Sequence, residues 1–526
     1  MSGPPWTPEH EAFRRAVRSF LEREVAPHAD DWEAAGRIPR EVFRRMGDLG
    51  FLGITAPEAH GGAGADVFMA VAFLEELPRS RMGGFCASVS VQQFMATAHI
   101  AAAGSEALKR RYLEPSVQGA KVGALAITEP DAGSDVASIR TRAVREGDAY
   151  VVNGSKTFIT NGAEGDFYTL AVRTGGEGAE GISLLVVDAD TPGVTVSRRL
   201  KKMGWHASDT AELAFQDARV PAENLVGEEG QGFGLLVGAF ALERLCAAAI
   251  AVGSADLALE ETLAYMKSRT AFGRPLTRFQ ALTHRLADLA AELEAARHLT
   301  HHCAGLVGEG RPAVAEAAMA KLVATELSVR MADACLQCYG GYGFMEEYPL
   351  ARFFRDARAA TLAGGTSEIM REIVARSLVE RAGEKEHLPA PAAPPSRRSE
   401  PAMDPSEKPA AESPPSAEAW TVERIARSLP GRLRADKVEG WKSVFHYRLK
   451  NSERPDWTVR IENGACTVEE GLGGAPDCIV EMKEETFLAI ETGKMNPQTA
   501  FLMGRVRVTN LTEMMQFIKA FRPLEG

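Results

Sequence analysis

The chain has 526 residues, of which 45% are apolar and 25% charged, as in an ordinary globular protein. Lys and Arg total 60 against 71 Asp and Glu, so the net charge is −11 and no nucleic-acid partner is expected. No apolar run approaches the roughly 20 residues of a membrane-spanning helix, so no membrane span is expected. The first residues lack the pattern of a signal or transit peptide, and seven scattered cysteines are typical of reduced thiols. These features predict a cytoplasmic protein of bacterial type.

The pattern of residues along the chain predicts five segments. Residues 1–120 show apolar residues at helical spacing. Residues 121–228 hold short β-type runs between Gly-rich turns, and residues 229–385 return to long helices. Residues 386–418 are rich in Pro, Ala and Ser, which favours an extended linker without a core of its own. Residues 419–526 combine helices with strand-like runs, as a small α+β domain does.

A carboxylate falls on the apolar stripe of one predicted bundle helix. Leu236, Phe240, Glu243, Ala247 and Ile250 recur at alternating steps of four and three residues. No cation lies three or four positions from Glu243 on this helix, and burial without a partner raises the pKa of a carboxyl group. Such a group can act as a base near neutral pH. The alternative interpretation is a glutamate at the edge of the stripe, paired with a distant arginine.

Three Gly-rich segments are candidates for a close approach of the backbone to a ligand. They are TEPDAGSD from Thr128, GGYG from Gly340 and AGGTSE from Ala363. Thr366 is placed to cap the helix that follows it, and the N-terminal end of a helix favours an anion such as a phosphate. None of the three has the spacing of a dinucleotide-binding fingerprint, and each can also be an ordinary turn or cap. Cys335 and Cys338 form a CxxC without a second pair, so no metal site is predicted.

Taken in order, these and further motifs resemble the acyl-CoA dehydrogenase family over residues 7 to about 382. The set is TEPDAGSD, NGSKTFITNG, ALERL, SRTAFGRPLTRFQ, QCYGGYGF, RDAR and AGGTSEIMREIVAR. The resemblance implies an N-terminal α-helical domain, a middle β-barrel and a C-terminal four-helix bundle. It also implies FAD as cofactor, oxidation of an acyl-CoA thioester to the trans-2-enoyl-CoA, electron-transfer flavoprotein as electron acceptor, and a homotetramer or homodimer.

The resemblance also assigns binding residues. The positions that match flavin contacts are Leu125, Ile127, Thr128, Gly133, Ser134, Phe158, Thr160, Thr366 and Glu368. The positions that match contacts to the FAD of a neighbouring subunit are Arg269, Phe272, Gln280, Gln337, Gly340 and Gly341. The positions expected to contact the acyl-CoA are Ser134, Phe240, Arg244 and Gly365.

One position departs from the usual family pattern. Most members carry the catalytic glutamate where this chain has Gly364. A minority, the isovaleryl-CoA and long-chain types, place the base on the bundle helix, at the position of Glu243. The helical periodicity and the resemblance therefore predict the same base. The resemblance further implies that the backbone N–H of Gly364 polarises the thioester carbonyl. The motifs AGGTSEIM and GYGFMEEYP are most similar to the long-chain type.

Residues 419–526 resemble the sterol carrier protein type of lipid-binding domain, most clearly in FLAIETGKMNPQTAFLMGRVRV. The resemblance implies an apolar tunnel for a lipid or fatty acyl-CoA. The residues expected to line it are Phe487, Phe501, Met503, Met514, Met515 and Phe517. Each of them can also be plain core. Thr509, Asn510 and Leu511 replace the Gly-Asp or Gly-Asn that usually precedes the last helix of that family.

Two further functions remain open from the sequence. One is an acyl-CoA oxidase that passes its electrons to O₂ and releases hydrogen peroxide. The other is a catalytically inactive scaffold that binds lipid or acyl-CoA, which the missing glutamate at position 364 suggests. The sequence does not define the length or branching of the acyl chain.

Overall fold

The computed structural model describes residues 6–385, 421–434, 437–438, 440–450, 456–492, 494, 506–522 and 524. The chain divides into two compact units, Met1–Pro394 and Pro395–Gly526, each of which is described by itself. The predicted linker at 386–418 lies outside the described residues.

The first unit opens with helices, as predicted. They are α1 (Pro8–Phe20), α2 (Ala29–Ala35), α3 (Arg40–Asp48), α4 (Val67–Glu76), α5 (Gly83–Val91), α6 (Thr97–Ala103), α7 (Glu106–Leu108) and α8 (Glu114–Val117). Helix α1 begins after Thr7, whose hydroxyl accepts a hydrogen bond from the backbone N–H of His10. Asp66 caps α4 in the same way at Met69. Helix α4 is almost wholly buried, because α1 and the later bundle helices pack around it.

A β domain follows. Its strands are β1 (Gly123–Ala126), β2 (Arg142–Glu146), β3 (Ala149–Thr160), β4 (Phe167–Arg173), β5 (Ile182–Asp188), β6 (Val194–Arg199), β7 (Thr210–Pro221) and β8 (Leu225–Val226). They form one sheet in the order β6-β7-β3-β2-β4-β5-β8, with β1 beside β4. Strands β4 and β5 are buried on both faces. One face of these two strands packs against other strands in the core of the β domain. The other face packs on N-terminal helices around Ile100 and Tyr112.

Long helices complete the first unit. They are α9 (Gly232–Ser268), α10 (Gln280–Gly308), α11 (Val314–Tyr339), α12 (Pro349–Ala360) and α13 (Ser367–Lys385), with a hairpin of β9 (Thr270–Ala271) and β10 (Arg274–Pro275) after α9. Small residues let these helices approach the N-terminal ones. A Cβ on Gly253 of α9 would lie 2.1 Å from the carbonyl oxygen of Glu75 in α4. The predicted order of helices, β domain and helical bundle is confirmed.

Helix α9 corrects one expectation from the sequence. It is 37 residues long and contains an 18-residue window with a mean hydropathy of 2.0, so length and composition alone would let it cross a membrane. Half of that window is buried inside the protein, where α9 packs against α4, α10 and α11. An interior helix is apolar on several faces because it has neighbours on several faces. The position of α9 in the bundle therefore accounts for its composition.

The second unit is a small α+β domain. Its elements are α14 (Val422–Arg432), β11 (Ser443–Lys450), β12 (Trp457–Glu462), β13 (Ala465–Glu470), β14 (Cys478–Lys483), α15 (Glu484–Glu491), β15 (Val506–Val508) and α16 (Leu511–Ala520). The sheet has the order β13-β12-β11-β14-β15, with β11 and β14 parallel and the other pairs antiparallel. Aromatic side chains of Phe445, Tyr447, Phe487 and Phe517 meet in its core.

Candidate active site

A cavity of about 380 Å³ lies where α9 passes the loops of the β domain and the turn between α12 and α13. Most of the predicted site residues line it. From α9 and the α12–α13 turn these are Phe240, Glu243, Arg244, Gly364 and Gly365. From the β domain they are Leu125, Ile127, Thr128, Gly133, Ser134, Phe158 and Thr160. The fold therefore brings the predicted base together with the predicted substrate contacts and one set of flavin contacts.

Glu243 is buried in the wall of this cavity, with 7% of its surface exposed. Its Oε1 atom accepts no hydrogen bond from the described residues. Burial raises the pKa of this carboxyl group to about 7, against a smaller opposing effect of the Arg244 charge. The alternative of a glutamate paired with a distant arginine is not seen among the described residues. A carboxyl group in this state can exist as a base at neutral pH.

Arg244 follows Glu243 in α9 and lines the same cavity. Its guanidinium lies over the ring of Phe240, 5.3 Å from the ring centroid. Its Nε atom is buried and donates no hydrogen bond within the described residues. Burial lowers its pKa from the usual value, but an arginine remains charged at neutral pH. Arg244 therefore places a positive charge and an unused donor beside the predicted base.

The turn between α12 and α13 is held in a left-handed conformation. Gly364 has φ +64° and Gly365 has φ +92°. A Cβ on Gly365 would lie 2.7 Å from the Cε atom of Met370, which would have to shift, and the positive φ strains any residue other than glycine there. Thr366 caps α13, as predicted, because its hydroxyl accepts a hydrogen bond of 3.4 Å from the backbone N–H of Ile369.

A buried lysine fixes this turn from below. Lys321 of α11 is 1% exposed, and its Nζ donates a 2.5 Å hydrogen bond to the carbonyl oxygen of Gly365. No ion pair of the described residues includes Lys321. Burial, followed by the charge of Arg244, lowers its pKa to about 8. A buried ammonium group without a carboxylate partner is costly unless it donates hydrogen bonds. The bond from Lys321 to the Gly365 carbonyl oxygen offsets part of that cost, and it therefore holds the turn close to α11.

The wall on the side of the β domain is fixed by a second buried lysine. Lys156 of β3 is fully buried, and its Nζ donates to Glu129 at 2.8 Å and to the carbonyl oxygen of Ile127 at 2.9 Å. The Glu129 carboxylate also accepts from the backbone N–H groups of Arg140 and Thr141. These bonds hold the TEPDAGSD segment against β3.

A bulge of β3 presents an aromatic ring next to this segment. Phe158 lies within the register shift between Lys156 and Ile159, has φ +60° and is 68% exposed. A β-bulge re-aims a side chain that would otherwise follow the alternation of the strand. Here it turns the Phe158 ring out of the core into the lining of the cavity.

The remaining predicted residues do not line the cavity. Arg269, Phe272, Gln280, Gln337, Gly340 and Gly341 are exposed, and Phe272 reaches 95% exposure. Thr366 is half-buried and Glu368 is exposed at the start of α13. A single exposed phenylalanine is common on protein surfaces, so the exposure alone assigns these residues no role. These positions match contacts to a neighbouring subunit in the family pattern, and this role stays a proposal.

In the second unit the predicted tunnel residues have mixed outcomes. Phe487 and Phe517 are buried and Met514 is half-buried. Phe501 and Met503 lie outside the described residues, and the side chain of Met515 is not described. A cavity beneath α14, lined among others by Leu429, Trp457 and Phe487, measures about 10 Å³, which is room for one water molecule. This part of the unit is therefore packed core. Among the described residues, no group of His, Cys, Asp or Glu is arranged to hold a metal ion.

Comparison with known families and proteins agrees with the architecture. The N-terminal, middle and C-terminal domain models of acyl-CoA dehydrogenase match residues 7–120, 124–218 and 230–379. The model of the SCP-2 sterol transfer family matches residues 423–522. The predicted fusion of the two is thereby confirmed.

Individual relatives cover the first unit. The acyl-CoA dehydrogenase of Bacillus subtilis is 40% identical over 375 residues, which are 71% of this chain and 98% of that protein. The mitochondrial long-chain specific acyl-CoA dehydrogenase of Sus scrofa is 41% identical over 374 residues, 70% of this chain and 86% of that protein. The crystal structure of acyl-CoA dehydrogenase from Geobacillus kaustophilus is 43% identical, with a TM-score of 0.68 over 72% of this chain and 100% of that one. The chain belongs to the acyl-CoA dehydrogenase family, whose members are flavoproteins that oxidise CH–CH donors.

Two residues at the site were missed in the sequence. Lys321 falls among apolar helix positions such as Ala317, Ala318 and Ala324, all of which are buried. The argument that singled out Glu243 would have found Lys321 as well. His99, whose Nε2 lies 3.8 Å from Glu243 Oε1, precedes Ile100 and a run of alanines in α6 and carries no comparable signal, because histidine is found both in protein cores and on surfaces.

Proposed function

We propose that the first unit binds FAD and oxidises the Cα–Cβ bond of an acyl-CoA to the trans-2-enoyl-CoA, with Glu243 as the base. The observation that carries this proposal is the unpaired carboxyl group of Glu243 in the wall of the cavity, with a pKa of about 7. The other carboxylates of the lining are engaged. Glu261 pairs with Arg81 at 2.6 Å, and Asp356 accepts from the backbone N–H groups of Gly83 and Trp205.

The residues present are suited to hold a flavin. The β-domain wall offers the backbone of the TEPDAGSD segment, the hydroxyls of Thr128 and Thr160 and the projecting ring of Phe158. A flat aromatic ring system can stack on such a ring and bond to such hydroxyls and backbone groups. Gly133 leaves open space, since a Cβ there would meet nothing nearer than 3.8 Å. When bound, the flavin supplies the acceptor for the hydride that leaves Cβ.

The chain itself supplies the acid–base and electrostatic part of the reaction. Glu243 takes the α-proton on a carboxylate oxygen. Its raised pKa lies near neutral pH, where a catalytic base is most effective at physiological pH. Gly364 offers a backbone N–H to the thioester carbonyl, which needs no side chain. The left-handed conformation of Gly364 and Gly365 shapes the turn that carries this N–H, and the Lys321 bond holds the Gly365 carbonyl oxygen at the next residue. The Arg244 charge lies next to Glu243 and favours its ionised form.

Acceptor, assembly and substrate class are further parts of the proposal. Electrons leave the reduced cofactor for an electron-transfer flavoprotein, as the resemblance implies. The exposed residues Arg269, Phe272 and Gln337, which match such contacts in the family, would complete the FAD site of a neighbouring subunit in a homotetramer or homodimer. Apolar side chains of Val91, Met95 and other residues line the cavity, which supports a hydrocarbon acyl chain. We place this reaction in the cytoplasm, in the catabolism of fatty or branched acyl groups.

The second unit is proposed to bind a lipid or a fatty acyl-CoA for the dehydrogenase. The support is the match of residues 423–522 to the SCP-2 sterol transfer family. A linker of the predicted length would keep the local concentration of this domain near the millimolar range, on the order expected for flexible tethers. Tethering therefore favours delivery of a poorly soluble substrate.

The test is an anaerobic titration of the flavin-loaded full chain with straight-chain, branched and sterol-side-chain acyl-CoA. Bleaching of the flavin absorbance by one class is expected, and it would identify the substrate class. A yellow protein that none of the thioesters bleaches would refute the proposed reaction. Hydrogen peroxide release at the rate of turnover in air would instead show an oxidase.

A further inference from the structure

Two buried polar atoms without hydrogen-bond partners face each other behind the cavity. His99 Nε2 of α6 lies 3.8 Å from Glu243 Oε1 of α9. His99 is 2% exposed and Glu243 is 7% exposed. Neither atom bonds to any other described residue. Buried polar groups are nearly always satisfied in native proteins, so an orphaned pair at this distance indicates a bond that forms in another state of the site.

The geometry allows this bond to form by a small movement. In a hydrogen bond from N–H to oxygen the nitrogen and oxygen lie about 2.7–3.2 Å apart. His99 Nε2 and Glu243 Oε1 therefore need to approach by less than about 1 Å. Glu243 lines the cavity and has a flexible side chain, whereas His99 is not part of the lining. Rotation of the Glu243 side chain therefore closes the gap. His99 is neutral, because burial lowers its pKa to about 4.

Other groups near Glu243 do not replace this partner. On α9 itself the neighbours are the Arg244 guanidinium and the Cys246 thiol, whose pKa burial raises strongly. From α11 the Lys321 ammonium is bonded to the carbonyl oxygen of Gly365. The remaining charged groups of the lining are the bonded Arg81, Glu261 and Asp356 described above. His99 Nε2 is thus the group that α6 places beside the base without a partner; the Arg244 Nε on α9 is a second buried donor without a partner among the described residues.

We propose that His99 is a positioning residue for the base: its Nε2–H donates a hydrogen bond to the ionised carboxylate of Glu243. This inference rests on the proposed function, in which Glu243 removes the α-proton. One carboxylate oxygen is held toward α6, which leaves the other free to face the substrate Cα. A hydrogen bond to an ionised group also favours the ionised form, so His99 extends the activity of the base to lower pH.

The test compares the pH dependence of anaerobic flavin reduction by acyl-CoA in the full chain and in His99→Phe. Since His99→Phe removes a hydrogen bond to the charged form of the base, the acid limb should move up by about one pH unit. The rate at pH 6 should fall about tenfold, while the rate at pH 9 stays near that of the unchanged chain. His99→Gln keeps a donor at a similar reach and should restore the limb in part. Loss of an α-deuterium from acyl-CoA, followed by NMR, should show the same shift.

Ile100→Val is the matched control, since it trims one methyl group at the next buried position of α6 and should leave the limb in place. An acid limb that stays within about 0.2 units in His99→Phe, or moves to lower pH, would overturn the proposal. If the phenyl ring prevents folding, His99→Leu provides the same comparison. Failure of the proposed function is seen separately, because Glu243→Gln would then reduce its flavin at the unchanged rate.

Discussion

At the scale of single residues, the site depends on two ionisable groups, Glu243 and Lys321, that the fold buries without a salt bridge to a residue of full opposite charge among the described residues. They lie on the contacting helices α9 and α11: Glu243 lines the cavity, and Lys321 bonds to the Gly365 carbonyl oxygen of the turn that borders it. Burial disfavours the charged form of each, which raises the pKa of the acid and lowers that of the base. Burial of these two groups lowers the stability of the folded protein, and it does so at the site where the proposed reaction needs a base and a fixed turn.

Replacing Glu243 by Gln should stabilise the protein, and more so at high pH. Below the unfolded pKa of 4.5 the carboxyl is protonated in both states and costs nothing. Between 4.5 and about 7 the unfolded state ionises first, so stability falls as pH rises, and above about 7 the loss is complete. The full effect is on the order of 3 kcal/mol. The thermal midpoint of Glu243→Gln should exceed that of the unchanged chain clearly at pH 8 and hardly at pH 4.5; an equal difference at both values would contradict a buried, ionisable Glu243.

Lys321→Met removes the ammonium group but keeps an unbranched side chain in its place. The turn at Gly364 and Gly365 then loses the hydrogen bond from below. Since loss of a direct oxyanion donor costs about 10²–10³-fold, loss of its support should slow flavin reduction by roughly tenfold. Rapid-mixing absorbance measurements at equal flavin content test this. An unchanged rate would show that the turn is held without Lys321.

At the scale of elements, the β-domain wall depends on a buried ion pair. Lys156 of β3 joins Glu129 and the carbonyl oxygen of Ile127, and the bulge with Phe158 follows directly. Lys156→Met would leave the Glu129 carboxylate buried without its cation, which typically costs about 3–5 kcal/mol. The variant should lose thermal stability and purify with less FAD.

The matched control is Arg198→Ala, which breaks the exposed pair with Glu212 on the same sheet. Exposed ion pairs contribute about 0–1 kcal/mol, so FAD content and melting should stay nearly unchanged. Absorbance at the flavin maximum, relative to protein absorbance, measures the content. Full FAD content in Lys156→Met would contradict a role for this pair in shaping the flavin wall.

Elements and order were predictable from sequence because they depend on local periodicity. Glu243 was found because a helix of known period places it among apolar neighbours. The support beneath the turn was not predicted, since it requires the distance between α11 and a segment more than 40 residues away. The bulge at Phe158 was also missed, because it depends on register shifts between β3 and β7. Strand β13 has a weak sequence signal, because ACTVEE contains no aromatic residue and only one β-branched apolar residue, and it becomes a strand by pairing with β12 along its length.

At the scale of the whole molecule, the proposal predicts an assembly of two or four subunits in which Phe272 contacts the cofactor of a neighbouring subunit. Phe272 has φ +51°, is 95% exposed and follows Arg269 in the loop after α9. We expect light scattering to give a mass of two or four times 56.6 kDa. Phe272→Ser should weaken the assembly and lower FAD content together, because the proposal places this residue at a neighbouring subunit's cofactor. A monomer with full FAD content would contradict that role.

The central claim is that Glu243 removes the α-proton, and the most direct measurement is a single anaerobic turnover of the flavin-loaded full chain. The substrate is the acyl-CoA class that bleaches the unchanged protein. Glu243→Gln should retain FAD and bind the thioester, but its rate of flavin reduction should fall by at least about 10³-fold. In the unchanged chain the rate should rise with pH through about 7, the pKa of this carboxyl group, and then level off. Flavin reduction in Glu243→Gln at an undiminished rate would contradict the account.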